Sequence, residues 1–102
     1  MKFEMIPAKE LDACIDRQDT FLIDLRAPEE YAQGHVRGAV NIPYERLKNT
    51  YLLPRERVLI LYCDRGATSM AAARELAEQG YRVKTVIGGI LSYRGKNLVS
   101  FR

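Results

Sequence analysis

The run Val58-Leu59-Ile60-Leu61-Tyr62-Cys63 is continuously apolar and then breaks sharply into Asp64-Arg65-Gly66-Ala67-Thr68. A run of this length with no polar alternation reads as a strand buried on both faces, the kind found inside parallel sheets. A helical pattern follows, Met70-Ala71-Ala72-Ala73-Arg74-Glu75-Leu76-Ala77-Glu78-Gln79, with Ser69 as an N-cap residue and Gly80 as the stop. Cys63 therefore stands on a strand-to-helix turn. Backbone N–H groups at a helix start lack intrahelical partners and point into such a turn, and Gly66 lets the chain bend closely around whatever sits there. A sulfur held in that cradle is easier to ionise. Thiolate is the reactive form, and cysteines at helix N-termini or beside cations ionise below the free thiol's roughly 8.5; Arg65 adds such a cation. Locally, a small buried hydrophobe ending a strand explains Cys63 equally well.

Strand and helix signals alternate along most of the 102 residues, which predicts an α/β domain with a largely parallel sheet. Phe3–Ile6 reads as a first strand closed by Pro7, Ala8–Asp16 as helical, and Thr20–Leu25 as a buried strand. Pro28-Glu29-Glu30-Tyr31 opens a helix with proline and acids in its first turn, and Gly34 ends it. A loop over Val36–Ile42 holds a short strand around Ala39-Val40-Asn41, and Pro43–Leu47 opens another helix. Arg82–Ile87 is a further strand ended by Gly88-Gly89, Ile90–Lys96 a short helix, and Asn97–Arg102 an unassigned tail. In open parallel sheets ligands collect beyond the C-terminal strand ends. Asp24-Leu25-Arg26, Cys63-Asp64-Arg65 and Ile87-Gly88-Gly89 would then share one rim.

The whole chain, residues 1–102, is expected to form one domain, since this length supports a single core. Its 16 Lys plus Arg against 13 Asp plus Glu give +3, with the charges scattered, which argues against nucleic acid as a partner. Arg37, Arg46, Arg55, Arg94 and Lys96 are either a docking face for an acidic partner or, more simply, a solvated surface. Cys14 and Cys63 form no Cys-x-x-Cys or Cys/His ligand spacing, and His35 is the only histidine, so neither a disulfide framework nor a metal site is expected. Leu11, Cys14 and Ile15 share a helical face, which reads Cys14 as core. No leader is visible over Met1–Pro7 and no apolar run nears the roughly 20 residues of a membrane helix, so a cytoplasmic protein without membrane contact is the default.

Three motifs in order carry a family resemblance. The first is Asp24-Leu25-Arg26 with Glu30-Tyr31 and then Gly34-His35-Val36-x-Gly38-Ala39-x-Asn41-Ile42-Pro43. The second is Tyr62-Cys63-x-x-Gly66-x-x-Ser69 with Ala72, Ala73, Leu76 and Gly80-Tyr81, and the third is Gly88-Gly89 with Tyr93. Over roughly residues 6–96 the chain resembles a single-domain rhodanese of the rhodanese-like sulfurtransferases. The resemblance implies a central five-stranded, mainly parallel sheet flanked by helices on both faces, with Cys63 at the floor of a shallow pocket. It implies that the cysteine thiolate takes sulfane sulfur from thiosulfate or another persulfide donor. The resulting persulfide hands it to cyanide, a thiol or an acceptor protein, without metal or organic cofactor.

On this reading Cys63 is catalytic, and Asp64, Arg65, Gly66, Ala67, Thr68 and Ser69 form the substrate-binding loop. Converging amides from Asp64 to Ser69 are expected to stabilise the anionic intermediate. Arg26 is a candidate for the rim, while Asp24, His35, Gly88 and Gly89 belong to the structural motifs. Two departures from the family pattern stand out. Thr68 occupies the place of a frequent arginine, where a hydroxyl can donate to the persulfide. Asp64 places a carboxylate where basic residues often follow the cysteine, which opposes a dianionic donor. Tyr93 stands for the usual tryptophan. The alternatives are a non-catalytic binding or regulatory module and, less well supported, a cysteine-dependent phosphatase or arsenate reductase, which would need arginine where Ser69 stands.

Overall fold

Along Val58–Tyr62 successive side chains enter different cores. Leu59 and Leu61 pack with Ile23, Ala72, Ala73 and Leu76 on one side, while Ile60 and Tyr62 pack with Leu11, Leu22, Val36 and Tyr93 on the other. This is the two-residue alternation of a strand covered on both faces. The computed structural model describes residues 2–47 and 53–101. In chain order its elements are β1 (Glu4–Ile6), α1 (Leu11–Cys14), β2 (Thr20–Asp24), α2 (Pro28–Gln33), β3 (His35–Val36) and β4 (Val40–Asn41). There follow α3 (Tyr44–Leu47), β5 (Val58–Tyr62), α4 (Ala67–Glu78), β6 (Val83–Val86) and β7 (Leu98–Val99). Single 3-10 turns cover Ala8–Glu10 and Gly89–Ser92.

β1, β6, β5, β2 and β4 line up in that order as a five-stranded sheet, and every neighbouring pair is parallel. The register sets Asp24 opposite Tyr62 and Leu61 opposite Thr85, so the C-terminal ends of β2, β5 and β6 meet at one rim. Helices α3 and α4 lie on the Leu59/Leu61 face; α1, α2 and the turn before β7 lie on the other. The expected fold class, a central five-stranded parallel sheet with helices on both faces, is what forms.

Three expected elements differ in detail. The helix expected over Ala8–Asp16 is a 3-10 turn followed by only four α residues, because Ile15 turns to extended backbone and Asp16 adopts a positive φ of 63°. The helix expected over Ile90–Lys96 shrinks to the 3-10 turn over Gly89–Ser92. The unassigned tail contains β7, which pairs antiparallel with β3, His35 opposite Val99 and Val36 opposite Leu98. That pairing joins segments some sixty positions apart, beyond the reach of local pattern. Met1 and Arg102, the ends of two segments read from sequence, lie outside the described residues.

Within the Ile60/Tyr62 core, β5 is tied to β3 by a polar contact that burial makes costly to break. The Tyr62 hydroxyl accepts a hydrogen bond from the Val36 N–H at 3.0 Å, and both residues are fully buried. Burial and the neighbouring Asp24 push that hydroxyl's pKa well up, so it stays protonated. We predict that Tyr62→Phe, which leaves the Val36 N–H buried without an acceptor, costs about 1–3 kcal/mol. The check is a urea titration, where the midpoint should fall with an unchanged slope.

Candidate active site

Cys63 follows β5 directly and is 6% exposed. The chain then turns through Asp64 and Arg65 to Gly66, whose φ of 112° lies in the left-handed region. A side chain at Gly66 would also meet the Gly88 backbone nitrogen at 3.3 Å, so the conformation calls for glycine and the tight space adds to that preference. α4 begins at Ala67, not at Met70, and this corrects the reading of Ser69 as an N-cap: Gly66 flanks the helix, without side-chain capping, and Ser69 is its third residue. From there the Ser69 N–H donates to Cys63 Sγ at 3.4 Å, and the Ser69 hydroxyl donates to the Gly66 carbonyl at 3.1 Å. The Gly66 N–H donates to the same sulfur at 3.2 Å. Of the amides expected to converge from Asp64 to Ser69, these two reach it. At its far end α4 stops as expected, with the Gly80 N–H on the Ala77 carbonyl and the Tyr81 N–H on the Leu76 carbonyl.

The loop is held from behind by β6 and the turn after it. Thr85, fully buried, donates its hydroxyl to Ser69 Oγ at 2.7 Å. A chain of hydroxyls thus runs from the sheet to the residue that presents one of the two amides. The Ile90 N–H donates to the Cys63 carbonyl at 2.9 Å and the Leu91 N–H to the Asp64 carbonyl at 3.2 Å. Gly89 makes this approach feasible, since a Cβ there would sit 2.2 Å from the Asp64 carbonyl oxygen. Sequence reasoning missed Thr85. The available signal was a hydroxyl two residues after Val83 on β6, on the opposite face from Lys84, where burial demands a partner.

In front of the thiol opens a cavity of about 580 Å³, lined by Cys63, Asp64, Arg65, Ala67 and Thr68 from the loop. Leu25, Arg26, Ala27 and Glu30 form a second wall, with Tyr44 and Glu45 of α3 beside them. The structure therefore gathers most of the expected loop at one cavity, while Gly66 and Ser69 act on the sulfur from within the fold. Arg26 does reach the wall, yet its guanidinium is already engaged. It is bidentate to Asp24 at 2.7–3.1 Å, donates to the Gly34 carbonyl at 2.6 Å, and its side chain is only 9% exposed. Asp24 is fully buried and also accepts from the Arg26 N–H, so this pair braces the loop after β2. Asn41 completes the brace by donating to the carbonyls of Asp24 and Arg26. Glu30, Tyr44 and Glu45 were not expected at the site. Tyr44 and Glu45 offered only helix-start composition, and Glu30 only its place beside Tyr31 in the first motif; neither says which cavity a helix faces.

His35, Gly88 and Gly89 lie outside the cavity lining. His35 is buried, its ring stacked 3.7 Å from that of Tyr31, with Nδ1 2.7 Å from the Tyr31 carbonyl. Tyr93 uses its hydroxyl to reach Asp12 and to accept from the Asn97 N–H, fastening the segment before β7 to α1. Of the basic residues weighed as a docking face or a solvated surface, Arg37 pairs with Asp16, Arg55 lies over the Tyr81 ring, and Arg94 donates to the Leu91 carbonyl. Cys14 is half-buried, donates its thiol to the Glu10 carbonyl at 3.5 Å, and burial raises its pKa. Among the described residues, no group of three or more His, Cys, Asp or Glu side chains is placed to hold a metal ion, and no helix is long and apolar enough to cross a membrane.

A parallel sheet with helices on both faces and a cysteine cradled by amides at a strand end defines a class, and comparison with known proteins gives its family. The family model of the rhodanese-like domain matches residues 7–96, and the chain belongs to that family. It is 38% identical over 71 residues to the thiosulfate sulfurtransferase PspE of Escherichia coli (strain K12), covering 67% of this chain and 68% of that protein. It is 36% identical over 76 residues to the tRNA sulfurtransferase of Desulfurococcus amylolyticus, covering 74% of this chain but only 15% of that much longer protein. The crystal structure of a rhodanese-related protein from Thermoplasma volcanium superposes with a TM-score of 0.87 at 28% identity, covering 98% of this chain and all of that one (100%).

Two substitutions probe the loop. Thr85→Val should slow alkylation of Cys63 by iodoacetamide by roughly fivefold, the equivalent of about 1 kcal/mol for one hydrogen bond, and Thr85→Ser should restore it. Gly89→Ala should destabilise the fold by more than about 2 kcal/mol in denaturant titration, since the left-handed backbone and the Asp64 contact act together.

Proposed function

We propose that this chain is a sulfurtransferase whose nucleophile is Cys63. The observation that carries the reading is the sulfur itself, which sits at the inner end of an open cavity with the N–H groups of Gly66 and Ser69 directed at it. Backbone dipoles fixed before reaction stabilise a negative charge without reorganising, and here that charge sits on the thiolate and then on the outer sulfur of the persulfide. In the first half-reaction the thiolate attacks the sulfane sulfur of thiosulfate or another persulfide donor; a new S–S bond forms and sulfite, or the corresponding donor remnant, leaves with the electron pair. In the second, cyanide, a small thiol or an acceptor protein takes the outer sulfur and regenerates the thiolate. Sulfur moves with its electron count conserved, so the cycle needs no redox cofactor.

Arg65, exposed on the cavity wall, is the group proposed to attract an anionic donor, and Thr68 the hydroxyl placed to contact it. The name of the Escherichia coli relative supports thiosulfate as one donor. A non-catalytic module is the second reading; Cys63 held at the floor of an open cavity favours catalysis over it. We also propose that residues 1–102 act as one domain in the cytoplasm, where two free thiols are stable.

Incubating the intact protein with thiosulfate or a thiol persulfide should add the mass of one sulfur atom, located at Cys63, and Cys63→Ser should abolish the gain. An unchanged mass with several donors, or equal labelling of the serine variant, would overturn the assignment.

A further inference from the structure

Three carboxylates from three separate elements stand on the walls of the Cys63 cavity: Glu30 from α2, Glu45 from α3 and Asp64 from the turn after β5. All three are exposed. Two guanidinium groups share these walls, but their charges are not equivalent. Arg26 is cancelled by its bidentate bond to buried Asp24, which leaves Arg65. Among the described residues no ion pair joins Glu30, Glu45, Asp64 or Arg65 to an opposite charge. Glu30 accepts a hydrogen bond from the Ala27 N–H at 3.1 Å, which leaves its charge in place. Three carboxylates against one guanidinium make the approach to the thiol net negative.

We propose that Glu30, Glu45 and Asp64 set donor specificity at Cys63, weighting it away from the dianion thiosulfate and toward thiosulfonates, sulfane-sulfur donors that carry one negative charge or are zwitterionic. This rests on the sulfurtransferase reading and adds the donor class to it. The chemistry of the step is the same. The Cys63 thiolate attacks the terminal sulfur of the thiosulfonate, the Cys63–sulfur bond forms as the sulfur–sulfonyl bond breaks, and a sulfinate leaves with the electron pair. What changes is the charge that must enter the cavity. A carboxylate within about 10 Å of the donor weakens a dianion's approach by roughly twofold to fourfold at low ionic strength, half as strongly on a logarithmic scale for a monoanion, and 0.15 M salt screens much of the effect because its Debye length is about 8 Å. An ammonium group on the donor offsets that repulsion.

The test measures the second-order rate of sulfur addition to Cys63 by intact mass, using thiosulfate, methanethiosulfonate and zwitterionic 2-aminoethanethiosulfonate, at low and high salt. The variants are Glu45→Gln, Glu30→Gln and the two combined; glutamine is isosteric and keeps an acceptor for the Ala27 N–H. In the double variant the thiosulfate rate should rise by roughly fourfold to tenfold at low salt, the methanethiosulfonate rate by about twofold to threefold, and the zwitterion's rate should stay level or fall. High salt should collapse these differences. An equal change for all three donors, or a thiosulfate rate that does not move, would overturn the proposal while leaving sulfur transfer intact. No sulfur addition from any donor would overturn the sulfurtransferase reading and this proposal with it.

Discussion

The site depends on two stretches of backbone meeting with no side chain between them. The turn at Gly88-Gly89 runs so close behind Cys63 and Asp64 that a single methyl at Gly89 would overlap the Asp64 carbonyl. In return the Ile90 and Leu91 amides bind the Cys63 and Asp64 carbonyls. With those carbonyls turned inward, the chain leaves the strand in a fixed direction, and the left-handed Gly66 bends it so that its own amide and that of Ser69 face the sulfur. Remove the close approach and the cradle has no fixed shape.

Around that contact the parallel sheet supplies the rigidity. β5 lies between β6 and β2, so the elements that brace the thiol loop and the elements that wall the cavity are both registered against the strand that carries Cys63. On one side Thr85 reaches Ser69. On the other the Asp24–Arg26 pair fixes the loop after β2. A buried ion pair of this kind contributes little net stability, because desolvation offsets the attraction. Its consequence here is geometric: the guanidinium is committed to Asp24 and Gly34, so the wall it forms adds little free positive charge.

Much of the site was legible in the primary structure because its requirements are local. A thiol at the end of a buried strand, a glycine three residues on and a helix after it suffice to predict the turn. The misreading of Ser69 is instructive. Serine at a helix start is most often a cap, but Gly66 in the left-handed region lets the helix begin three residues earlier, and the hydroxyl then bonds backward to the Gly66 carbonyl. β7 was illegible for a different reason, since its pairing with His35–Val36 depends on contacts far along the chain.

The amino-acid sequence by itself determined most of the elements, their alternation, the parallel sheet and the place of Cys63 at a strand end, because periodicity, proline, glycine and burial act over a few residues. Only the tertiary structure decided which side chains share the cavity. It took Arg26 out of the charge balance by bonding it to Asp24, put Glu30 and Glu45 on the walls of the cavity that Asp64 also lines, and set Thr85 behind Ser69. Those outcomes depend on how α2, α3 and β6 pack against β5, and no local pattern encodes the distance between groups on separate elements.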